Sequence, residues 1–300
     1  MKVGIILPIA EDEGQTPHYA EIREMARRAE ASGFDSVWVY DHLLFRLPEK
    51  PTAGIWECWT VLAAVAEATE RVELGTLVMC TAFRNPAVLT KMADTLDEVS
   101  DGRLILGLGA GWHQPEFDAF GIPFDHKVDR FEEALEIIVP LLREGQVDIR
   151  GTHSFATNGE LRPRGPRPQG PPLLIGAFGP RMLHLTARYA DSWNTCWLGQ
   201  PTKLAERRAA LEAACADEGR DPASIEVTVG VSVAVPPAGE TIEGTEDPDK
   251  FLSGSAEEIA AGLRAYADLG VGHVICACTP NTLPGLERLT AALQVYQAGG

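Results

Sequence analysis

The stretch Asp35-Ser36-Val37-Trp38-Val39-Tyr40-Asp41-His42 decides how this chain reads. Residues 37–40 form an unbroken run of β-branched and aromatic side chains, the composition of a strand buried on both faces, and the run ends abruptly on an acid and an imidazole. In a parallel barrel such a strand end carries polar side chains to the mouth, so Asp41 and His42 are the first candidates for catalysis.

Working outward, the same unit recurs. A first strand within 1–10 precedes a helix that Thr16-Pro17 is expected to cap, with Tyr19, Ile22, Met25, Ala26 and Ala29 at helical spacing and Gly33 as its stop. Beyond His42, a loop at 43–54 long enough to be a lid leads to a helix carrying Trp59, Leu62, Ala63 and Ala66. Further strands are expected at 72–80, 104–109, 173–176, 192–195, 226–235 and 274–277. Helices are expected from Asn85-Pro86 onward and at 128–143, 180–190, 202–218, 256–269 and 286–296. Two segments break the rhythm, 146–172 and 236–254, both rich in Gly and Pro and read as insertions at the barrel rim, the first with room for a small hairpin. Eight strands each followed by a helix predict a parallel sheet with right-handed crossovers, and in a chain of 300 residues a single (β/α)8 TIM barrel over 1–300. An open doubly wound sheet is the alternative.

A formal net charge of −17 leaves no basic face for sequence-independent binding to nucleic acid or to an anionic membrane, and points to a small-molecule partner. The apolar run at the N-terminus is short and is followed by Glu11, Asp12 and Glu13 rather than by a small-residue cleavage site, so a cytoplasmic protein is expected. No stretch approaches the roughly 20 apolar residues of a membrane span. Six cysteines without C-x-x-C spacing signal neither a disulfide framework nor zinc; Cys276 and Cys278, two apart on one strand, read as packing residues.

Three motifs bear on chemistry. Gly107-Leu108-Gly109-Ala110-Gly111-Trp112 fails as a dinucleotide fingerprint, because that spacing requires glycine where Trp112 stands. Its alternating glycines clear one face of a strand end, either for a flat ring or for a neighbouring segment of backbone. Gly176-Ala177-Phe178-Gly179-Pro180 carries a strand through a turn into a helix that starts on proline, an arrangement whose free N–H groups and helix dipole suit a phosphate, with Arg181 as added charge or a solvated side chain. His42 has the pKa range to shuttle a proton, and His113 and Glu116 are the nearest further metal ligands. Without an H-x-H or H-E-x-x-H pattern no metal is expected. Asp41 bonded to backbone as a capped strand end is the structural alternative. His18, His126, His153, His184 and His273 have no accompanying constellation.

Taken together these blocks resemble the bacterial luciferase-like flavin and deazaflavin oxidoreductases. The likeness rests on Asp41-His42, on Leu74 to Val78 with Asn85-Pro86, and on Gly102-Arg103 leading to Gly107, Gly109, Gly111, Trp112 and Glu116. It continues in Leu174-Ile175-Gly176 with Ala190 to Asn194, then Gly254 to Ile259 and Tyr266 to Val271. The resemblance implies a barrel that binds coenzyme F420 or FMN and is usually dimeric. It implies a non-prolyl cis peptide at Leu77-Val78 backing the cofactor ring, with Cys80 further along that strand, and Gly176 to Pro180 as the phosphate segment. Asp41 and His42 match the pair that handles the proton in deazaflavin-dependent members, Asp41 orienting either His42 or the cofactor. Ala177 stands where a second glycine is common, leaving an N–H available but narrowing the approach of a phosphate. Trp112 replaces the acid of the glucose-6-phosphate-oxidising members, which suggests an apolar pocket walled by Phe45, Trp56 and Trp112, with Glu116 beside it. The expected activity is F420-dependent hydride transfer to or from a small organic substrate. A reduced-FMN monooxygenase served by a flavin reductase, and a flavin-binding barrel without turnover, are the rivals.

Overall fold

The computed structural model describes residues 1–12 and 14–299; Glu13, one of the acids expected after the first strand, and Gly300 lie outside the described residues. Eight strands follow one another as β1 (Lys2–Ile6), β2 (Ser36–Val39), β3 (Glu73–Thr76), β4 (Leu104–Gly109), β5 (Leu173–Gly176), β6 (Ser192–Leu198), β7 (Glu226–Ala234) and β8 (His273–Thr279). The helices are α1 (Tyr19–Ala31), α2 (Cys58–Ala68), α3 (Pro86–Val99), α4 (Gln114–Phe120), α5 (Lys127–Glu144), α6 (Pro180–Tyr189), α7 (Leu204–Glu218), α8 (Ala256–Asp268) and α9 (Leu283–Ala298). Neighbouring strands run β5-β6-β7-β8-β1-β2-β3-β4, and β4 pairs back onto β5 in parallel through Leu106 and Leu173. That order is the closed (β/α)8 barrel the alternation predicts, rather than an open sheet. Among the described residues, no helix is long and apolar enough to cross a membrane.

Two compact units make up the chain: one contains Met1–Pro8, Ala20–Trp38 and the residues from Ala177 on, the other Ile9–Tyr19 and Val39–Gly176. In the first, β1 pairs with β2 and β8, and β8 with β7, all in parallel. Its core includes a polar chain: the indole N–H of Trp38 donates to Ser36 Oγ at 2.6 Å, and Ser36 Oγ lies 2.7 Å from His273 Nε2. With its oxygen accepting from Trp38, Ser36 has its hydroxyl proton for His273, so that imidazole is buried neutral, and burial depresses its pKa to about 3. Cys276 and Cys278 are both buried.

In the second unit, β3 pairs with β4, and Met79–Cys80 continues along β4 after the Leu77–Val78 peptide, which is cis. A second non-prolyl cis peptide, unexpected from the sequence, joins Cys196 to Trp197 in the other unit. Helix α3 begins as its sequence asks: Asn85 Oδ1 accepts from the N–H groups of Ala87 and Val88, a cap that contributes about 1 kcal/mol, and Leu89, Ala93 and Leu96 are buried. It ends at a turn with Asp101 and Gly102 in the left-handed region, after which Arg103 folds back onto the last carbonyls of α2, donating to Ala66 O and Thr69 O.

The expected start of α1 is displaced. Thr16 does not cap; its hydroxyl donates to Glu11, the Pro17 carbonyl accepts from Trp56, and the helix begins at Tyr19. Residues 43–54 are not a free lid: Leu44–Phe45 pairs antiparallel with Ala53–Gly54, and Glu11 Oε2 accepts from Gly54 N at 2.6 Å. The small hairpin in 146–172 is present as Gln146–Arg150 with Phe155–Glu160. Residues 236–254 stay largely irregular, with Leu252 bridging to Val233.

Candidate active site

Along a strand end, side chains alternate between faces, so Asp41 and His42 part company. Asp41 is buried and its two oxygens accept from Arg84, at 2.6 Å from Nη1 and 3.2 Å from Nη2, with a further bond from the Cys80 N–H at 3.0 Å and the Cys58 thiol at 3.3 Å. Arg84 also meets Glu57, whose carboxylate caps α2 by accepting from Trp59 and Thr60. Burial pushes the Asp41 carboxyl above its usual range, opposed by the Arg84 guanidinium, and the same two acids hold Arg84 firmly charged against its own burial.

His42 instead pairs with Glu116. Its Nδ1 lies 2.8 Å from Glu116 Oε1, and Glu116 Oε2 accepts from the Leu43 N–H at 2.8 Å, so the buried acid has both oxygens engaged. Of the two expected roles of Asp41, orienting His42 or the cofactor, the first does not hold: Glu116, read from the sequence as a pocket residue, holds the imidazole, and Asp41 belongs to Arg84. With Nδ1 directed at a carboxylate, neutral His42 carries its proton there and presents an unprotonated Nε2, which has no hydrogen-bond partner among the described residues. Around it stand Phe45, with ring centroids 4.5 Å apart, Trp112 at 5.5 Å edge-on and Tyr40 at 6.1 Å. Burial raises the Tyr40 hydroxyl pKa to about 12, so it is a neutral wall. His113 is buried and spoken for: its Nε2 accepts from the Arg46 N–H at 3.0 Å.

Phe45 and Trp112 thus gather at His42, and Trp56 does not: it makes no ring contact with them among the described residues, and its indole N–H donates to the Pro17 carbonyl. Cys80 is likewise turned inward. Its N–H holds Asp41, and burial raises its thiol to about 12.

Gly107 and Gly109 of β4, and Gly111 just beyond it, are explained by protein packing. A Cβ on Gly107 would overlap the Thr76 carbonyl oxygen, one on Gly109 would lie 2.6 Å from Val78 Cγ2, and one on Gly111 would lie 2.6 Å from the Phe117 ring and 2.7 Å from Cys80 Sγ. Val78 also lies over Gly176, 3.2 Å from its Cβ direction. Of the two readings of this motif, close approach of neighbouring protein accounts for all three positions, and the glycines serve a ring only by seating Val78.

In the other unit, Ala177 leaves no N–H available, contrary to expectation: it donates to Asn194 O at 3.3 Å, while Ala177 O accepts from the Trp193 indole at 3.0 Å. What remains open is the first turn of α6. Its N-cap, Gly179, supplies no side-chain hydrogen bond, and nothing lies within 4 Å of the Gly179 Cβ direction. Phe178 is exposed, with the Arg207 guanidinium 5.2 Å over its ring. Asn194 Oδ1 is a buried acceptor without a partner among the described residues.

Among the described residues, two groups of side chains have metal-ligand spacing, Asp41 with Glu57 and Cys58, and His126 with Asp129 and His153. In the first, Arg84 already neutralises both carboxylates, so a cation would have to displace a guanidinium. The second brings together two histidines that had no constellation in the sequence.

The luciferase-like monooxygenase family model matches residues 1–247. The phthiodiolone/phenolphthiodiolone dimycocerosates ketoreductase of Mycobacterium bovis (strain BCG) is 34% identical over 221 residues, 68% of this chain and 58% of that protein. The F420-dependent glucose-6-phosphate dehydrogenase of Amycolatopsis mediterranei is 34% identical over 188 residues, 61% of this chain and 55% of that protein. This chain therefore spans less than two thirds of the length of either relative. Among solved structures, an F420-dependent secondary alcohol dehydrogenase in complex with an F420-acetone adduct superposes with a TM-score of 0.80 at 20% identity, covering 98% of each chain, a likeness of fold. The chain belongs to the luciferase-like monooxygenase family.

Proposed function

We propose that this protein is a coenzyme F420-dependent oxidoreductase that moves a hydride to or from a small carbonyl or alcohol substrate, with His42 handling the proton. The observation that carries the reading is the His42–Glu116 pair, an imidazole with one nitrogen fixed by a buried carboxylate and the other free, set among apolar rings. The two relatives, a ketoreductase and an F420-dependent dehydrogenase, support carbonyl–alcohol chemistry over oxygen insertion from reduced FMN.

The residues suit such a cofactor. In one unit Val78, seated by Gly109 and Gly176, offers an apolar surface of the kind that backs a ring; in the other, the uncapped start of α6 offers the N–H groups of Phe178 and Gly179, of the kind a phosphate takes. Coenzyme F420, when bound, supplies the hydride acceptor or donor. The chain's own residues do the rest. His42 Nε2 takes the proton from the substrate hydroxyl in the oxidising direction and returns it to the carbonyl oxygen in the reducing one; Glu116 stabilises the imidazolium in between. Phe45 and Trp112 keep water from the reacting carbon. Asp41, through Arg84 and the Cys80 N–H, fixes the strand that carries Leu77 and Val78 rather than touching substrate. A single barrel domain with rim segments at 43–54, 146–172 and 236–254, a homodimer and a cytoplasmic location belong to the same proposal.

The test is single-turnover reduction of F420 by small secondary alcohols, followed by loss of the oxidised cofactor's visible absorbance. His42→Ala should slow the step by about 10²–10⁴-fold and Glu116→Gln by less, with F420 affinity unchanged in both. Equal rates in wild type and His42→Ala would remove His42 from the mechanism, and F420 binding without turnover of any alcohol or carbonyl would favour a carrier.

A further inference from the structure

Behind Arg84 lies a cavity of about 300 Å³, lined by Thr81 to Pro86, Ile122, Pro123, Arg130, Ala134 and the hairpin tip His153 to Phe155. We propose that it binds a small organic oxyanion, a carboxylate or phosphate compound, at a site distinct from the His42 cluster: neither His42, Glu116, Phe45, Trp112 nor Val78 lines it.

Charge is the first argument. The chain has 43 acidic against 26 basic residues, yet the lining contains two arginines and a histidine and no acid. Asp41 and Glu57 already neutralise Arg84, so the attraction for an anion rests on Arg130 in a wall that adds no acid. The second argument is the construction of the wall. Glu133 accepts from the N–H groups of Thr152, His153 and Ser154, at 2.7 to 2.8 Å, and so fixes the hairpin tip that presents His153 and Ser154. The His126 ring stacks on His153 from outside with centroids 5.5 Å apart, and Asp129 lies 3.1 Å from His126 Nδ1. Arg130 is anchored by Nε and Nη2 on Asp125, at 2.9 and 3.2 Å, and its Nη1 has no partner among the described residues. Asn85, which is exposed, spends its side-chain oxygen on α3 and leaves its amide nitrogen to solvent or a ligand. Donors without partners, held by acceptors that point elsewhere, are what an anion's oxygens require.

The third argument is size. A volume of this order is at the lower end of small-molecule sites, enough for a compound of a few carbons with one or two anionic groups. Arg84 forms part of the wall while its Nη atoms hold Asp41 and Glu57, so an anion drawn to this guanidinium would act on the strand bearing Leu77–Val78.

Isothermal titration of the full chain with citrate and, separately, inorganic phosphate, at ionic strength held constant with sodium chloride, tests the site. Saturable binding of at least one is expected, citrate alone marking a carboxylate site and phosphate alone a phosphate site. Arg130→Gln should weaken it about tenfold or more, and Ser154→Asp, which adds a carboxylate to the wall, should abolish it. Binding by His42→Ala should match wild type. No saturable binding of either anion, or equal affinity in wild type, Arg130→Gln and Ser154→Asp, would overturn the proposal.

Discussion

Replacing Arg84 with Met would leave Asp41 as a buried carboxylate facing the Cys80 N–H and the Cys58 thiol without its cation. Removing one partner of a buried ion pair costs about 3–5 kcal/mol, which in a chain of this size lowers the melting temperature by on the order of 10 °C. The pH dependence carries more information than the midpoint. Burial already raises the Asp41 pKa and Arg84 pulls it back, so in Arg84→Met the folded-state value climbs further. Between the unfolded value, about 3.9, and that raised value the native state binds more protons than the unfolded chain, so stability falls as pH rises through this window. Arg84→Met should therefore be most impaired at neutral pH and regain stability on acidification, and adding Asp41→Asn should recover much of the loss. Urea unfolding followed by circular dichroism at neutral and mildly acidic pH measures both effects. A loss below about 1 kcal/mol, identical at the two pH values, would refute the picture of Asp41 as a buried charge held by Arg84.

Other perturbations read other parts of the structure. His273 stays neutral down to about pH 3 in the fold, whereas the unfolded chain protonates its imidazole near 6.5, so its contribution to stability is lost as pH falls through that interval. The loss is on the order of 4 kcal/mol, and His273→Gln should flatten the acid limb of the stability curve; an unchanged limb would contradict this. Gly107→Ala should cost about 3 kcal/mol or more, because its methyl would overlap the Thr76 carbonyl. Gly179→Ala, with open space at its Cβ, should leave stability within about 0.5 kcal/mol, and comparable thermal shifts for the two would show the β4 packing to be wrong.

What could be read from sequence was what is local. Residues 37–40 are apolar in one unbroken run because the strand is buried throughout, and Asn85-Pro86 starts a helix with Asn85 accepting from Ala87 and Val88; neither depends on distant partners. Thr16-Pro17 carries the same local signal and misleads, because Glu11 and Trp56 compete for its hydroxyl and carbonyl. The site was legible as residues but not as pairs. Asp41 and His42 adjoin in sequence, and the alternation of a strand sends them to different partners, Arg84 and Glu116, which lie 43 and 74 residues away. Arg84 and Glu57 carry no motif in the sequence; a lone arginine between an apolar segment and the Asn-Pro helix start is the one local signal of that pair. Gly107, Gly109 and Gly111 were visible as missing side chains; only the fold reveals that Thr76, Val78, Phe117 and Cys80 fill the space they leave.

The central claim is that a deazaflavin, not a flavin, works beside His42. Parallel equilibrium titrations of the purified protein with coenzyme F420 and with FMN test it directly. F420 should bind at least about tenfold more tightly, a difference of about 1.4 kcal/mol, and the preference should persist in His42→Ala. Tighter binding of FMN than of F420 would contradict it.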